Sequence, residues 1–251
     1  MRHSFFIVIV VLMVPISSIG QSGAGLAQQS LRAQLGRNSL PLDVVLIGQI
    51  EDGRTAKPFR MAVKGDKARY EVGENITVFG PGGGWSRVSN RFQILPAHAA
   101  SRRPDILPLL DLLSTGDDPL TDVSAPQTVS VDGLAVQRFT VTRPDRQKQQ
   151  REFRRALDEE TTFYIDPSSL MVVRSESMIP AANNMDNRFL NTVEFSDYRL
   201  VQGYAVPFHI VRTIGSGPAP LSRTLITVSS VTFNQGVADA TFSPSSSGGR
   251  Q

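Results

Sequence analysis

The sequence predicts a mainly β (α+β) protein: one strongly curved antiparallel sheet, or incomplete β-barrel, of about 11 strands, with a leucine-rich helix covering its concave face. Two observations predict this fold class. Segments that alternate apolar and polar residues are separated repeatedly by turn dipeptides such as Asp52-Gly53. Consecutive hairpins of this kind place sequential strands side by side, and so many strands exceed what an open twisted sheet carries without curling.

The first strands show the alternation most clearly. Phe59 and Met61 alternate with other residues in one segment, and Tyr70 and Val72 alternate with charged residues in the next. Side chains on a strand point alternately to opposite faces, so this part of the sheet has one apolar face and one face in contact with water.

A glycine-rich run at 81–84 connects two further strand segments. A phosphate-binding loop would need a helix N-terminus directly after the glycines, but Trp85 and Val88 continue a strand pattern. We therefore interpret the run as a tight reversal. Later segments with the same strand and turn pattern lie at 128–142, 161–178, 193–214 and 221–233.

Two segments differ from this strand pattern. Residues 104–114 are leucine-rich around most of a helical circumference, and Pro108 is tolerated there only in the first helical turn. We predict a short helix that begins close to Pro108 and is buried on more than one side. Residues 147–157, within a charged stretch at 143–160, have the composition of a solvent-exposed helix.

The N-terminus has the pattern of an export signal. Arg2 precedes an apolar run at 5–14 that is too short to span a bilayer, and small residues follow. We predict a cleaved signal peptide at 1–20, with Ala27 as a second cleavage point, and a periplasmic protein; secretion and an uncleaved anchor are the alternatives. A polar linker at 21–40, a single domain at 41–245 and a disordered tail at 246–251 complete the prediction.

Composition excludes several classes of function. The chain has 251 residues, a formal net charge of +3 and no cysteine. It can therefore form no disulfide, thiolate zinc site, cysteine nucleophile or acylated lipoprotein cysteine. The charge is too balanced to indicate a nucleic-acid partner, and a helical membrane bundle is excluded because only the N-terminal run approaches spanning length. We expect no cofactor, a monomer, and no membrane span in the mature chain.

No motif for catalysis or metal binding is found. His98 and His209 are not at metal-ligand spacing, and a histidine within a strand is more often a half-buried structural side chain. A hydrolase that uses His209 with Asp197 or Glu194 lacks a nucleophile in a supporting motif. We therefore predict that the protein is not an enzyme.

An apolar space between the curved sheet and the leucine-rich helix is the remaining candidate site. Such a space either is packed solid or holds an apolar ligand, and composition alone favours a packed core. Six large apolar or aromatic residues are our candidates to line it: Phe59, Met61, Tyr70, Trp85, Leu109 and Leu113.

The chain from about 42 to 244 resembles the LolA-like superfamily, most specifically in its second half. The likeness lies in FYIDPSSLMVVRSE at 163–176, in VEFSDYRLVQGYAVPFHI at 193–210 and in the closing VSSVTFNQGVADATFSP at 228–244. The resemblance implies an incomplete antiparallel barrel whose apolar cavity is covered by helices, as in the periplasmic carriers of outer-membrane lipoproteins. It implies binding of a lipoprotein acyl chain or lipid, without catalysis or a cofactor. The alternative is an envelope interaction or sensing module that uses this scaffold to bind a protein partner.

Overall fold

The computed structural model describes residues 22–53, 55–80, 83–95, 105–113, 121–143, 159–181, 184–215 and 220–244. The helices are α1 (Gly23–Leu35), α2 (Pro108–Leu113) and a 3-10 helix (Asp239–Phe242). The strands are β1 (Asp43–Asp52), β2 (Thr55–Lys64), β3 (Lys67–Val72), β4 (Asn75–Phe79), β5 (Gly84–Val88), β6 (Arg91–Leu95), β7 (Asp122–Val123), β8 (Gln127–Val131), β9 (Leu134–Arg143), β10 (Glu159–Ile165), β11 (Val172–Ala181), β12 (Asn184–Val201), β13 (Tyr204–Ile214) and β14 (Ser222–Phe233).

All of these strands belong to one antiparallel sheet that does not close. Its order is β6-β5-β4-β3-β2-β1-β14-β13-β12-β11-β10-β9-β7, with β8 paired to β9. Most strands pair with their neighbours in the chain. The exceptions are the pairing of the first strand, β1, with the last, β14, and the positions of β6 and β7 at opposite edges of the sheet, where β7 pairs with β9 and not with β8. The predicted fold class is confirmed, with 14 strands in the described residues in place of about 11. The strands β6 and β7 were missing from the prediction.

Cross-strand register assigns the residues of the first strands to two faces. Met61 lies opposite Leu46 of β1 and opposite Tyr70 of β3, and Phe59 lies opposite Val72. These five residues therefore share one face of the sheet, as the alternation predicted. The main hydrophobic core lies on this face, which we call the concave face, and both α1 and α2 pack against it.

A second, smaller apolar cluster lies on the opposite, outer face. It consists of Ile76, Val78 and Trp85 from the sheet and Phe242 from the 3-10 helix. Val78 pairs with Trp85 and with Arg69. Tyr70, the next residue after Arg69 on β3, faces the concave side, so Arg69 and its partners face the outer side. The C-terminal segment thus crosses to the outer face after β14 and covers these strands.

The helix α1 corrects the expectation of a polar linker at 21–40. Leu26 and Leu35 are buried in the main core, and Ser22 caps the helix N-terminus by accepting a hydrogen bond from Gly25 N at 3.0 Å. Gly36 ends the helix with a φ of 62°, and a Cβ at this position would lie 2.6 Å from Gly203 O. The helix is therefore a packed part of the domain, because its small and apolar residues fit closely against the sheet.

The helix α2 matches the leucine-rich helix predicted in 104–114, with Pro108 as its first residue. Leu109 and Leu112 are buried in the main core, and α2 contacts α1. The predicted signal peptide at 1–20, the exposed helix at 147–157 and the tail at 246–251 lie outside the described residues.

Candidate ligand-binding site

Five of the six predicted cavity residues lie together at the concave face. Phe59, Met61 and Leu109 are buried, whereas Tyr70 and Leu113 are partly buried and pack against the same cluster. The rings of Phe59 and Tyr70 are 5.1 Å apart between centroids. The structure therefore brings these residues from β2, β3 and α2 into one apolar region, and their contact with a ligand stays a prediction.

Trp85 is not part of that region. Its indole Nε1 donates a hydrogen bond to Phe242 O at 3.0 Å, and it packs in the outer cluster. Arg69 lies over its ring, with the guanidinium carbon 5.8 Å from the ring centroid. The expectation that Trp85 shares an interior with Phe59 and Met61 is wrong, because the register of β4 and β5 directs it to the outer face.

A polar cluster interrupts the apolar concave face beside α2. Asn191 of β12 is 1% exposed, and its Nδ2 donates to Asp105 Oδ2 and, at 3.2 Å, to Ser177 Oγ. Arg212 of β13 donates from Nε to Asn191 Oδ1 at 2.7 Å. Every polar atom of the buried Asn191 side chain is therefore satisfied, as burial of an amide requires.

Arg212 and Asp105 are held less tightly. The shortest charged distance between them is 3.9 Å, from Arg212 Nη2 to Asp105 Oδ2, which is longer than a hydrogen bond. The side chains of Arg212 and Asp105 are 34% and 25% exposed. This ion pair consequently contributes little stability, since solvent screens both groups.

Tyr70 approaches the same cluster from the other half of the sheet. Burial raises the pKa of its hydroxyl to about 12, while the nearby charge of Arg212 lowers this pKa and that of Asp105 raises it. The strands β3 and β13 are separated in the sheet by β2, β1 and β14, so the charge of Arg212 acts on Tyr70 across the curved sheet. Tyr70 stays protonated at neutral pH and can donate a hydrogen bond.

Two further polar features lie apart from this cluster. On α1, the buried Gln34 Nε2 donates to Ser30 Oγ at 3.3 Å, and Gln34 Oε1 has no hydrogen-bond partner among the residues that the structure describes. On the outer face, a polar cleft of about 530 Å³ is lined by Arg69, Glu71, Gly73, Glu74, Ile76, Arg87 and Asn90. Arg69 in this cleft is already committed, because it donates to Glu71 Oε1 at 2.6 Å and to Thr241 O at 2.9 Å.

The hypothesis of a hydrolase that uses His209 with Asp197 or Glu194 is not supported by a hydrogen bond between these side chains in the described structure. The carboxylate of Asp197 accepts two hydrogen bonds from Arg199, at 3.1 and 2.6 Å, and these lower its pKa. His98 lies outside the described residues. Among the residues that the structure describes, no three His, Asp or Glu side chains group as metal ligands would. None of the described helices is long and apolar enough to cross a membrane.

The sequence matches no protein-family model and no curated protein. Solved structures with the same fold do match. A LolA superfamily protein from Nitrosomonas europaea aligns with a TM-score of 0.53 and 9% identity over 89% of this chain and 98% of its own. A DUF1329 family protein from Desulfovibrio piger aligns with a TM-score of 0.55 and 14% identity, over 88% of this chain and 95% of its own. A protein domain from Vibrio parahaemolyticus, described as an outer membrane lipoprotein-sorting domain, aligns with a TM-score of 0.52 and 11% identity, over 88% of this chain and 95% of its own. The chain therefore has a LolA-like fold.

Proposed function

We propose that this protein is exported to the periplasm and binds or carries a hydrophobic ligand, a lipid or the acyl chain of a lipoprotein, without catalysis. The observation that carries the proposal is the extended apolar concave face, which in the described part of the chain is covered by α1 and α2 and not by a second sheet. The similarity to a LolA superfamily protein and to a lipoprotein-sorting domain supports this class of ligand.

The size of α2 suits a cover that can move. Only six residues form the helix, and its apolar contacts centre on the buried Leu109, Leu110 and Leu112. Exposing three buried leucines costs about 5–9 kcal/mol. An acyl chain that takes their place recovers roughly 0.8 kcal/mol for each buried CH₂ group, so a long chain can offset this cost.

Two polar contacts join the ends of this cover to the sheet. Asp105, just before α2, accepts a hydrogen bond from Asn191, and Arg143 of β9 donates to Asp111 O within α2 at 3.3 Å. Each contact includes one partly exposed side chain, Asp105 or Arg143, that water can solvate when α2 moves. A ligand can therefore enter beside α2 without disruption of the sheet.

The proposal is tested by extraction of lipid from the purified full chain, followed by mass spectrometry, and by titration with a fluorescent fatty acid. We expect a co-purifying lipid or saturable uptake at about one ligand per chain. Protein that is reproducibly empty and takes up no probe would overturn the proposal.

A matched pair of variants locates the ligand. Leu113, partly buried at the concave face, and Leu134, 67% exposed on the β8–β9 hairpin, are each changed to Gln. We expect Leu113→Gln to weaken uptake several-fold and Leu134→Gln to leave it unchanged, because only Leu113 borders the proposed site. Equal effects of the two changes would contradict the proposed location.

The interaction or sensing module is the second candidate function, and an exposed apolar pair favours it. Phe92 and Ile94 on the edge strand β6 are 52% and 67% exposed, and the ring of Phe92 stacks on Trp85 at 5.9 Å. Edge strands with exposed apolar side chains are sites at which another chain can pair. Loss of a specific cross-linked envelope partner on Phe92→Ser and Ile94→Ser, with lipid uptake retained, would favour this candidate.

A further inference from the structure

The polar cluster of the concave face contains donors that the described chain does not use. Arg212 donates only from Nε, to Asn191, and in the described part of the structure neither of its Nη atoms makes a hydrogen bond. The Tyr70 hydroxyl likewise has no hydrogen-bond partner among the described residues, and Tyr70 is partly buried. Both side chains border the apolar interior, and Arg212 is 34% exposed, so a ligand can reach these donors from solution.

The positions of these donors suit an anionic group. Arg212 follows Ile210 on the same face of β13, and Ile210 is fully buried in the main core. Tyr70 lies beside Phe59 and opposite Met61 in the same core. A planar guanidinium with two free Nη groups binds two oxygens of one carboxylate or phosphate, and a tyrosine hydroxyl can bind another.

We infer that Arg212 and Tyr70 form a head-group site for an amphiphile whose apolar chain lies on the concave face and whose head carries a carboxylate or phosphate monoester. This inference rests on the proposed function and deepens it, because it names the chemical class of the ligand. Neutral lipids leave the Arg212 Nη groups unpaired and bind less tightly.

Asp105 is the internal competitor for this site. Its Oδ2 lies 3.9 Å from Arg212 Nη2 and also accepts the hydrogen bond from Asn191. A ligand oxygen at hydrogen-bond distance interacts more strongly with Arg212 than the more distant Asp105 does. The ligand head therefore replaces Asp105 as the ionic partner of Arg212. Removal of the charge of Asp105 favours an anionic head.

The experiment measures the affinities of the purified full chain for three probes with the same alkyl chain: hexadecanoate, hexadecyl phosphate and 1-hexadecanol. Each displaces a fluorescent fatty acid, below the concentration at which the probe aggregates. We expect at least one of the two anions to bind about tenfold more tightly than the alcohol, as one charge-assisted contact predicts. The ratio between hexadecanoate and hexadecyl phosphate distinguishes a carboxylate head from a phosphate head.

Three variants and a control separate recognition of the head from burial of the chain. Arg212→Gln should abolish the preference for the anion over the alcohol, and Tyr70→Phe should reduce this preference a few-fold. Asp105→Asn should strengthen binding of the anion. Arg223→Gln is the matched control, because Arg223 is exposed on the neighbouring strand β14 and pairs in register with Thr213.

The outcomes separate this inference from the proposed function. Equal binding of all three probes by the unaltered protein, or an unchanged preference in both Arg212→Gln and Tyr70→Phe, would overturn the head-group site and leave the proposed function in place. Failure to bind any of the probes would overturn both. A melting temperature measured for each variant identifies one that does not fold, and Tyr70→Phe, which keeps the ring contact with Phe59, then decides the outcome.

Discussion

The two apolar clusters, on opposite faces of the same sheet, differ in what covers them. The main core lies beneath two helices and contains residues from both halves of the chain, whereas the outer cluster is covered by a 3-10 helix of four residues. Specific hydrogen bonds, such as that from Trp85 Nε1 to Phe242 O, hold the 3-10 helix on the outer cluster. The concave face instead combines a broad apolar surface with unused donors at Tyr70 and Arg212. The proposed binding site on the concave face rests on this difference between the two faces.

The largest expected effect is in the main core. Phe163 is fully buried and stacks on Phe139 with the ring centroids 5.5 Å apart. We expect Phe163→Ala to lower the free energy of unfolding by about 3–5 kcal/mol, because it leaves a cavity between β9 and β10. Denaturant unfolding measures this value. Leu134→Ala, at an exposed site, is the control and should change it little; equal losses would contradict the assignment of the core.

A smaller effect is expected in the outer cluster. Phe242→Ala removes the cover over Trp85, the single tryptophan of the chain. We expect a loss of about 2 kcal/mol, near the value of burying one phenylalanine, since a short terminal segment relaxes around the change. Trp85 emission should shift to longer wavelength while ligand uptake is retained. Loss of uptake would show that the two faces do not act independently.

A change at Asp43 tests how the C-terminal segment is held where it crosses to the outer face after β14. The carboxylate of this 4% exposed residue accepts hydrogen bonds from the backbone N–H groups of Gln235, Gly236 and Val237 at 2.8, 2.9 and 3.1 Å. We expect Asp43→Asn to destabilise the protein by about 1–2 kcal/mol, because an amide cannot accept all three bonds as well as a carboxylate. Asp66→Asn, in the exposed turn after β2, is the control. An unchanged unfolding midpoint would contradict this role.

The smallest expected effect is a pH dependence of the outer face. Hydrogen bonds from Lys67 and Lys64 to the exposed Asp239 lower its pKa below the ordinary value of 3.8. A carboxylate with a lowered pKa in the folded state stabilises the fold above its unfolded pKa and loses this contribution as the pH falls through the folded value. Acidification below about pH 4 should therefore loosen the C-terminal segment, seen in Trp85 emission. Asp239→Asn should remove this transition, and its persistence would assign it to another group.

Local patterns predicted much of the fold. The alternation around Phe59, Met61 and Tyr70 assigned the faces of β2 and β3 correctly, because one face is buried and the other is charged. The leucines after Pro108 identified α2, because apolar residues around most of a short helix indicate burial on more than one side. These features depend on residues close together in the chain, so the sequence displays them directly.

Other features depend on partners that are distant in the chain. Trp85 and Ser86 are both buried, so the pattern of β5 alone does not show which one faces the main core. In α1, the buried residues include the polar Ser30 and Gln34. The sequence of this segment therefore shows no clear apolar face that would predict a packed helix. The influence of the Arg212 charge on Tyr70 depends on the arrangement of five strands, and no local spacing of residues indicates it.

The position of a bound amphiphile tests the central claim most directly. A spin-labelled fatty acid broadens the NMR signals of methyl groups close to it. We predict that one equivalent broadens the methyl signals of Leu109, Leu112 and Ile210 at the concave face and leaves those of Ile76 and Val78 sharp. Broadening confined to the outer cluster or to Ile94, or no broadening at any methyl group, would contradict the claim that this protein binds its ligand on the concave face.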